Sequence, residues 1–349
     1  MSLVVFAPNW LGDAVMALPA LADLCRLQGG TGVAVAARPA VAGLFELAPG
    51  VEAVVRLAHP SDGNLWHRFA TDVERVRRVG ARRAVLLPNS ARAALVAWRA
   101  GVPERCGYRR DLRGPLLTYG VARPRGRVHQ VDSYRHLAAA IGAEPGPREP
   151  SLDVPPEVRG RAARLLEHAG WDGASPLLGV APGAAYGGAK CWPAERYART
   201  LAALAHDRGL TSVIVGSAAD QVIACTVSRE AGKIIGTAGR CAVIDLAGRT
   251  DLQDLAGVMA HCSAFLSNDS GATHLAAAIG LPVVAVFGPT DERVTAPLGR
   301  VSGGVHRPVR AVVGRAWCRP CGLRECPIDH RCMVRVSVDQ VVGAVKDVS

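Results

Sequence analysis

Short apolar runs alternate with helical patterns along residues 3–155. Leu3–Ala7, Gly32–Ala36, Ala53–Leu57 and Ala84–Pro88 are nearly continuous in apolar residues, which predicts strands buried on both faces. Between them, Asp13–Gln28, Pro39–Leu47, Asn64–Val79 and Ala91–Ala100 place apolar residues at helical spacing, and Gln130–Ile141 closes the series. Strand–helix alternation of this kind predicts a parallel, doubly wound α/β sheet. Gly142-Ala-Glu-Pro-Gly-Pro-Arg-Glu-Pro150, with Pro155 and Pro156 beyond it, then reads as a linker. The alternation restarts with strands at Leu177–Ala181, Ser212–Gly216, Val243–Leu246, Ala264–Ser267 and Val283–Phe287. Helices fall at Pro193–His206, Leu252–His261 and Thr273–Ile279. The expectation is two Rossmann-like domains, 1–155 and 156–349, with ligands held in a cleft by loops at the carboxyl ends of the strands.

Composition narrows the class. The chain has 349 residues, 49% of them hydrophobic and only 5% aromatic, which excludes a disordered chain, a collagen or a coiled coil. No apolar run reaches the ~18 to 20 residues of a membrane span. The N-terminus lacks a basic region, and Asp13 interrupts its apolar stretch, so a signal peptide is not expected and the cytoplasm is the expected compartment. The formal charge is +11, from 41 basic and 30 acidic residues, and only Lys190, Lys233 and Lys346 among the basic ones are lysines. Such a charge favours anionic partners.

Three strand-to-helix loops carry candidate chemistry. The first, Ala7-Pro-Asn-Trp-Leu-Gly-Asp13, puts a carboxylate at a helix start. Asp13 there is either an N-cap or a base that accepts a proton from a hydroxyl nucleophile. No Gly-x-Gly-x-x-Gly follows this strand, which argues against a dinucleotide site. The second, Val180-Ala-Pro-Gly-Ala-Ala-Tyr-Gly-Gly-Ala-Lys-Cys-Trp-Pro193, combines glycines, a lone lysine and a helix start. It is either a solvated loop or a phosphate site built on Gly183 and Lys190, and its spacing is not that of a P-loop. The third, Ser267-Asn-Asp-Ser-Gly-Ala-Thr-His274, offers Asp269 and Ser270 as caps. Alternatively it offers the amides of Ser270, Gly271, Ala272 and Thr273 as a second anion site, with Asp269 for sugar hydroxyls and His274 for a phosphate or sugar oxygen.

Two further segments stand apart. Arg105–Arg127 holds seven arginines against Asp111. It reads as a solvated basic loop, or as a surface for an anionic acceptor or membrane, with Arg109, Arg110 and Arg113 at its centre. Nucleic acid is the weaker reading, because only Tyr108 and Tyr119 are available for stacking. The tail Cys318-x2-Cys321-x4-Cys326-x5-Cys332 holds free thiols or, alternatively, a structural metal, with His330 as a substitute ligand. Its spacing matches neither a zinc ribbon nor a ferredoxin.

The ordered set Asn9-Trp-Leu-Gly-Asp13, Pro182-Gly-Ala, Ala189-Lys-Cys-Trp-Pro193, Leu246-Ala-Gly-Arg-Thr250, Asn268-Asp-Ser-Gly-x-x-His274 and Phe287-Gly-Pro289 resembles the lipopolysaccharide heptosyltransferases of glycosyltransferase family 9. With Arg324-Glu-Cys-Pro327 and His330-Arg-Cys-Met333, the tail is most similar to the heptosyltransferase II subgroup. The resemblance implies a GT-B architecture with an acceptor-side N-terminal domain and a nucleotide-sugar-binding C-terminal domain. It implies inverting, metal-independent transfer of heptose from ADP-L-glycero-D-manno-heptose to the lipopolysaccharide inner core, with no cofactor. Asp13 then matches the catalytic base, Lys190 a phosphate-binding lysine, Asp269 the donor-sugar contact, and Ser270, Gly271, Thr273 and His274 the diphosphate loop. Tyr186 stands where relatives carry a small hydroxyl residue, and Asp220 is assigned to the adenosine ribose. The partners implied are the donor, the inner-core acceptor and a peripheral contact with the inner membrane, not nucleic acid. The alternatives are a related enzyme using another nucleotide sugar, and an arginine-rich nucleic-acid binder.

Overall fold

The computed structural model describes residues 1–30, 32–236, 243–302 and 304–349. They divide into two compact units, Met1–Leu152 and Asp153–Ser349. Cys241 lies outside the described residues.

In the first unit the strands are β1 (Leu3–Phe6), β2 (Val33–Ala37), β3 (Ala53–Arg56), β4 (Arg83–Leu86), β5 (Glu104–Tyr108) and β6 (Tyr119–Val121). The helices are α1 (Leu11–Met16), α2 (Leu18–Leu27), α3 (Pro39–Glu46), α4 (Leu65–Val79), α5 (Ala91–Arg99) and α6 (Gln130–Ala139). All six strands are parallel, in the order β3-β2-β1-β4-β5-β6. Strands β1 and β2 are buried along their whole length, as their unbroken Val/Ala/Leu content requires of strands covered on both faces. The expected single helix over Asp13–Gln28 is two helices, because Pro19 has no N–H and its ring clashes with the preceding turn. Arg105–Arg127 is not simply a loop. It contributes the last strand pair of the sheet, which its polar composition concealed.

In the second unit the strands are β7 (Leu177–Ala181), β8 (Thr211–Ile214), β9 (Val243–Asp245), β10 (Cys262–Asn268), β11 (Val283–Phe287), the short hairpin β12 (Val301–Ser302) and β13 (Val305–His306), and β14 (Val309–Val313). The helices are α7 (Pro156–His168), α8 (Ala194–Arg208), α9 (Gln221–Ile235), α10 (Leu252–Met259), α11 (Gly271–Ile279), α12 (Glu292–Thr295), α13 (Arg331–Val334) and α14 (Val338–Val348). Six strands form a second parallel sheet, β14-β11-β10-β7-β8-β9. Counting only the strands of each sheet, this is the same order as in the first sheet. In both, the order reverses between the first and fourth strands, β1/β4 and β7/β10. Crevices at such switch points are where open α/β sheets hold ligands. The core around β7 and β10 gathers Trp192, Tyr197, Leu201, Leu266 and Met333. Each fully buried apolar side chain there contributes about 1.5–3 kcal/mol.

Candidate functional site

At the first switch point, β1 runs into Ala7–Trp10 and then α1. Trp10 is the N-cap of α1 and makes no side-chain capping bond. Asp13 is therefore not a cap. It stands in the first helical turn, where an acidic group favours the helix dipole, and it is partly buried. Its Oδ1 accepts a hydrogen bond at 3.3 Å from the Tyr134 hydroxyl of α6. Burial, reinforced by the Asp13 charge, pushes the Tyr134 phenol well above its usual range, so it stays a proton donor toward Asp13.

The arginines divide. Arg109 and Arg110 are exposed beside Leu112, which is 99% exposed. Asp111 and Leu112 are held at positive φ, a backbone region that Asp tolerates and Leu disfavours. Arg113 is a correction to the expected acceptor surface, because it is fully buried. Its Nε donates to the Tyr108 carbonyl at 2.9 Å, Nη1 donates to the Pro88 carbonyl, and Nη2 reaches Asn89 Oδ1 at 3.5 Å. Burial lowers its pKa, with Asp111 opposing. A guanidinium so enclosed ties the loop after β4 to β5 and does not face solvent.

At the second switch point the loops after β7 and β10 meet. Lys190 Nζ lies 2.6 Å from Asp269 Oδ2 and 3.3 Å from the Asp269 carbonyl, and both side chains are largely buried. The same carboxylate oxygen accepts from the Thr290 hydroxyl at 2.6 Å. Asp269 is thus no cap either. Ser270 is the N-cap of α11, in a reciprocal capping box with Thr273. That box corrects the expected set of four free amides. Ser270 and Thr273 amides are taken by the cap, which leaves Gly271 and Ala272 as the first-turn donors. The Thr273 hydroxyl is committed to the Asn268 carbonyl at 2.6 Å. His274 follows in the first turn and is buried.

Gly183 and Asp220 come together across β7 and β8. A Cβ on Gly183 would sit 1.9 Å from Asp220 Oδ1, so any larger residue there would displace that carboxylate. The other oxygen of Asp220 accepts from the Ser217 amide at 2.8 Å and hydroxyl at 2.7 Å. Tyr186 lies under two cations, with Lys190 Nζ 4.9 Å and Arg324 Cζ 5.4 Å from its ring centroid.

Two features of this site do not follow from the sequence patterns: the role of Asn268 and the packing of the tail onto the glycine-rich loop. Asn268 is fully buried. Its Oδ1 accepts from the Trp192 amide at 3.0 Å and the Tyr197 hydroxyl at 2.9 Å, and its Nδ2 donates to the Pro182 carbonyl at 2.6 Å. One side chain thereby fixes both ends of the glycine-rich loop to β10. The second is the tail, which packs onto that loop. The Ala189 amide donates to the Arg324 carbonyl at 2.9 Å, the Tyr186 hydroxyl to the Gly322 carbonyl at 2.6 Å, and the Gly188 amide to Glu325 Oε1 at 3.0 Å. His330 Nε2 donates to the Ala189 carbonyl at 2.7 Å. A Cβ on Gly187, at φ +152°, would meet the Arg324 carbonyl at 2.4 Å. The lone Lys in a glycine-rich loop was the legible signal. The tail that seats the loop is more than 130 residues away in sequence.

Among the described residues, no helix is long and apolar enough to cross a membrane. A profile of glycosyltransferase family 9 (heptosyltransferase) matches residues 71–330. The chain is 28% identical over 310 residues to the lipooligosaccharide heptosyltransferase 2 of Haemophilus influenzae, covering 85% of this chain and 86% of that protein. It is 29% identical over 330 residues to the lipopolysaccharide heptosyltransferase 2 of Escherichia coli K12, covering 90% and 89%. The solved structure of E. coli ADP-heptose LPS heptosyltransferase II superposes with a TM-score of 0.79 at 26% identity, covering 100% of this chain and 98% of that one. A glycosyltransferase family 9 protein from Veillonella parvula shares the fold at TM-score 0.80 and 20% identity, over 99% and 96%. With two Rossmann-like units and a family match across most of its length, the chain belongs to glycosyltransferase family 9, the heptosyltransferases, and has their GT-B fold.

Proposed function

We propose that this glycosyltransferase moves heptose from ADP-L-glycero-D-manno-heptose to the inner core of lipopolysaccharide, inverting the anomeric centre and using no metal in the transfer step. The observation that carries the reading is the Lys190–Asp269 pair beside the α11 N-terminus, at a sheet switch point. An ammonium has three donors. Two of Lys190's are directed at Asp269, and the third serves a diphosphate oxygen, with the Gly271 and Ala272 amides as further donors. Asp269 receives a sugar hydroxyl, and Asp220 the ribose. Unit Asp153–Ser349 is the donor side in this reading.

On the acceptor side, unit Met1–Leu152, Asp13 is the base. The acceptor oxygen bonds to the anomeric carbon as Asp13 takes its proton. The bond from that carbon to the diphosphate breaks, and ADP leaves with the electron pair. Charge on the leaving oxygen is met by Lys190 and the helix amides, groups whose individual removal costs ~10² to 10³ in rate in comparable sites. Arg109 and Arg110 flank the projecting Leu112, and this loop supports a peripheral contact with an anionic acceptor or membrane surface.

The test is ADP release in the presence of ADP-heptose and a heptose-deficient core acceptor. Release that needs both substrates is the expected result. Calorimetric titration should show ADP binding ahead of UDP and no binding of a short oligonucleotide. A preference for UDP would move the chain to another donor class, and binding of the oligonucleotide alone would end the reading.

A further inference from the structure

We propose that Cys318, Cys321, Cys326 and Cys332 together bind one thiolate-preferring metal ion, zinc or iron, which seats the tail against the loop carrying Lys190.

All four cysteines line one small cavity of about 20 Å³, together with His330, Arg331, Ala189 and Pro289. None is in a disulfide. Four sulfur donors around one space suit a tetrahedral ion, and that donor set selects zinc or iron over hard cations. Cys318-Arg-Pro-Cys321 is followed by Gly322 at φ +65°, a left-handed residue that turns the chain back after the second thiol. The His330 amide donates to Cys326 Sγ at 3.3 Å, a bond that supports a charged sulfur. His330 itself is not a ligand through Nε2, which is held by the Ala189 carbonyl. The set is therefore the four thiols, and Arg331 on the cavity wall offsets part of their charge. No three of the described His, Cys, Asp or Glu side chains already stand at ligand spacing. Binding would draw the sulfurs in across the cavity, each releasing its proton.

The ion would act on the active site through the tail. Gly322, Arg324 and Glu325 lie between the ligands, and they hold Tyr186, Gly188 and Ala189. Arg319, next to Cys318, donates to the carbonyls of Gly288 and Thr290, and Thr290 donates to Asp269. The binding site stands on the cavity alone. Its effect on the donor rests on the reading given under Proposed function.

The test uses the full chain, purified under reducing conditions from medium containing zinc and iron. Elemental analysis should find about one zinc or iron per chain, and cobalt substitution should give thiolate-to-metal charge-transfer bands. Cys318→Ser with Cys321→Ser should drop the content below about 0.2 per chain, while Cys225→Ser, an exposed thiol on α9, leaves it unchanged. Which metal is found separates zinc from iron. Wild-type protein with less than about 0.1 ion and no cobalt–thiolate band overturns the proposal, and this arm does not depend on the variants folding. So does full metal content in the double variant, or a disulfide among the four. Hydrogen exchange at residues 186–190 should quicken after chelation, and unchanged exchange overturns the seating role. Retained metal with no ADP binding would instead count against the functional reading.

Discussion

Replacing Lys190 with methionine separates the structural and catalytic uses of one ion pair. At 2.6 Å and an effective dielectric of about 20, the Lys190–Asp269 attraction is about 6 kcal/mol before desolvation is subtracted. Removing one partner of such a buried pair typically costs about 3–5 kcal/mol, mostly because the other charge is stranded. Thr290 still donates to Asp269 and Lys190 is 14% exposed, so Lys190→Met should cost about 3 kcal/mol. Lys190→Met with Asp269→Asn removes the stranded charge and should return stability to within about 1 kcal/mol of wild type. Transfer should not return with it, because the phosphate donor is still missing, and both variants should be slower by ~10² or more. Urea denaturation and initial rates of ADP release, run on the same three proteins, supply both numbers. A double variant no more stable than Lys190→Met would refute the stranded-charge argument. A Lys190→Met rate within about threefold of wild type would remove Lys190 from the leaving-group site.

Asp13→Asn should reduce turnover by ~10² or more with a nearly unchanged melting temperature, since Asn keeps the bond to Tyr134 but accepts no proton. Arg109→Glu with Arg110→Glu should raise the acceptor's Michaelis constant at low salt, and the difference should shrink as salt screens the exposed charges. Arg113→Ala should instead lower stability by about 2–4 kcal/mol, seen in denaturation, because it strands the buried Tyr108 carbonyl and the partly buried Pro88 carbonyl. Burial pushes the Cys262 thiol up to about 12 and Cys25 to about 11, so alkylation at pH 8.5 should label exposed Cys225 at least ~10² faster than Cys262. A raised thiol pKa contributes stability that is intact below the unfolded value of 9.0, and for Cys262 this should be lost as pH climbs from there toward about 12.

Much of the architecture was legible because its cause is local. Unbroken apolar runs such as Val33–Ala37 and Val283–Phe287 have no solvent face to offer, so parallel strands covered on both sides follow from the residues alone. The same logic exposed the loops at the strand ends and the lone Lys190 among glycines. Elements whose burial is decided by distant partners stayed hidden. Strands β5 and β6 lie in an arginine-rich stretch, and they read as strands only once Arg113 is seen turned inward against Pro88 and Tyr108. Asp13 and Asp269 both looked like helix caps, since a carboxylate near a helix start has a local use. Tertiary structure gave the capping position to Trp10 and Ser270, and directed the two carboxylates to Tyr134 and to Lys190 with Thr290. The cysteine-rich tail shows the limit most clearly. Its spacing could be counted from the sequence, but its contact with Tyr186, Gly188 and Ala189 joins segments more than 130 residues apart. Hydrogen bonds between such segments are decided by the packed sheet, not by any pattern either segment carries.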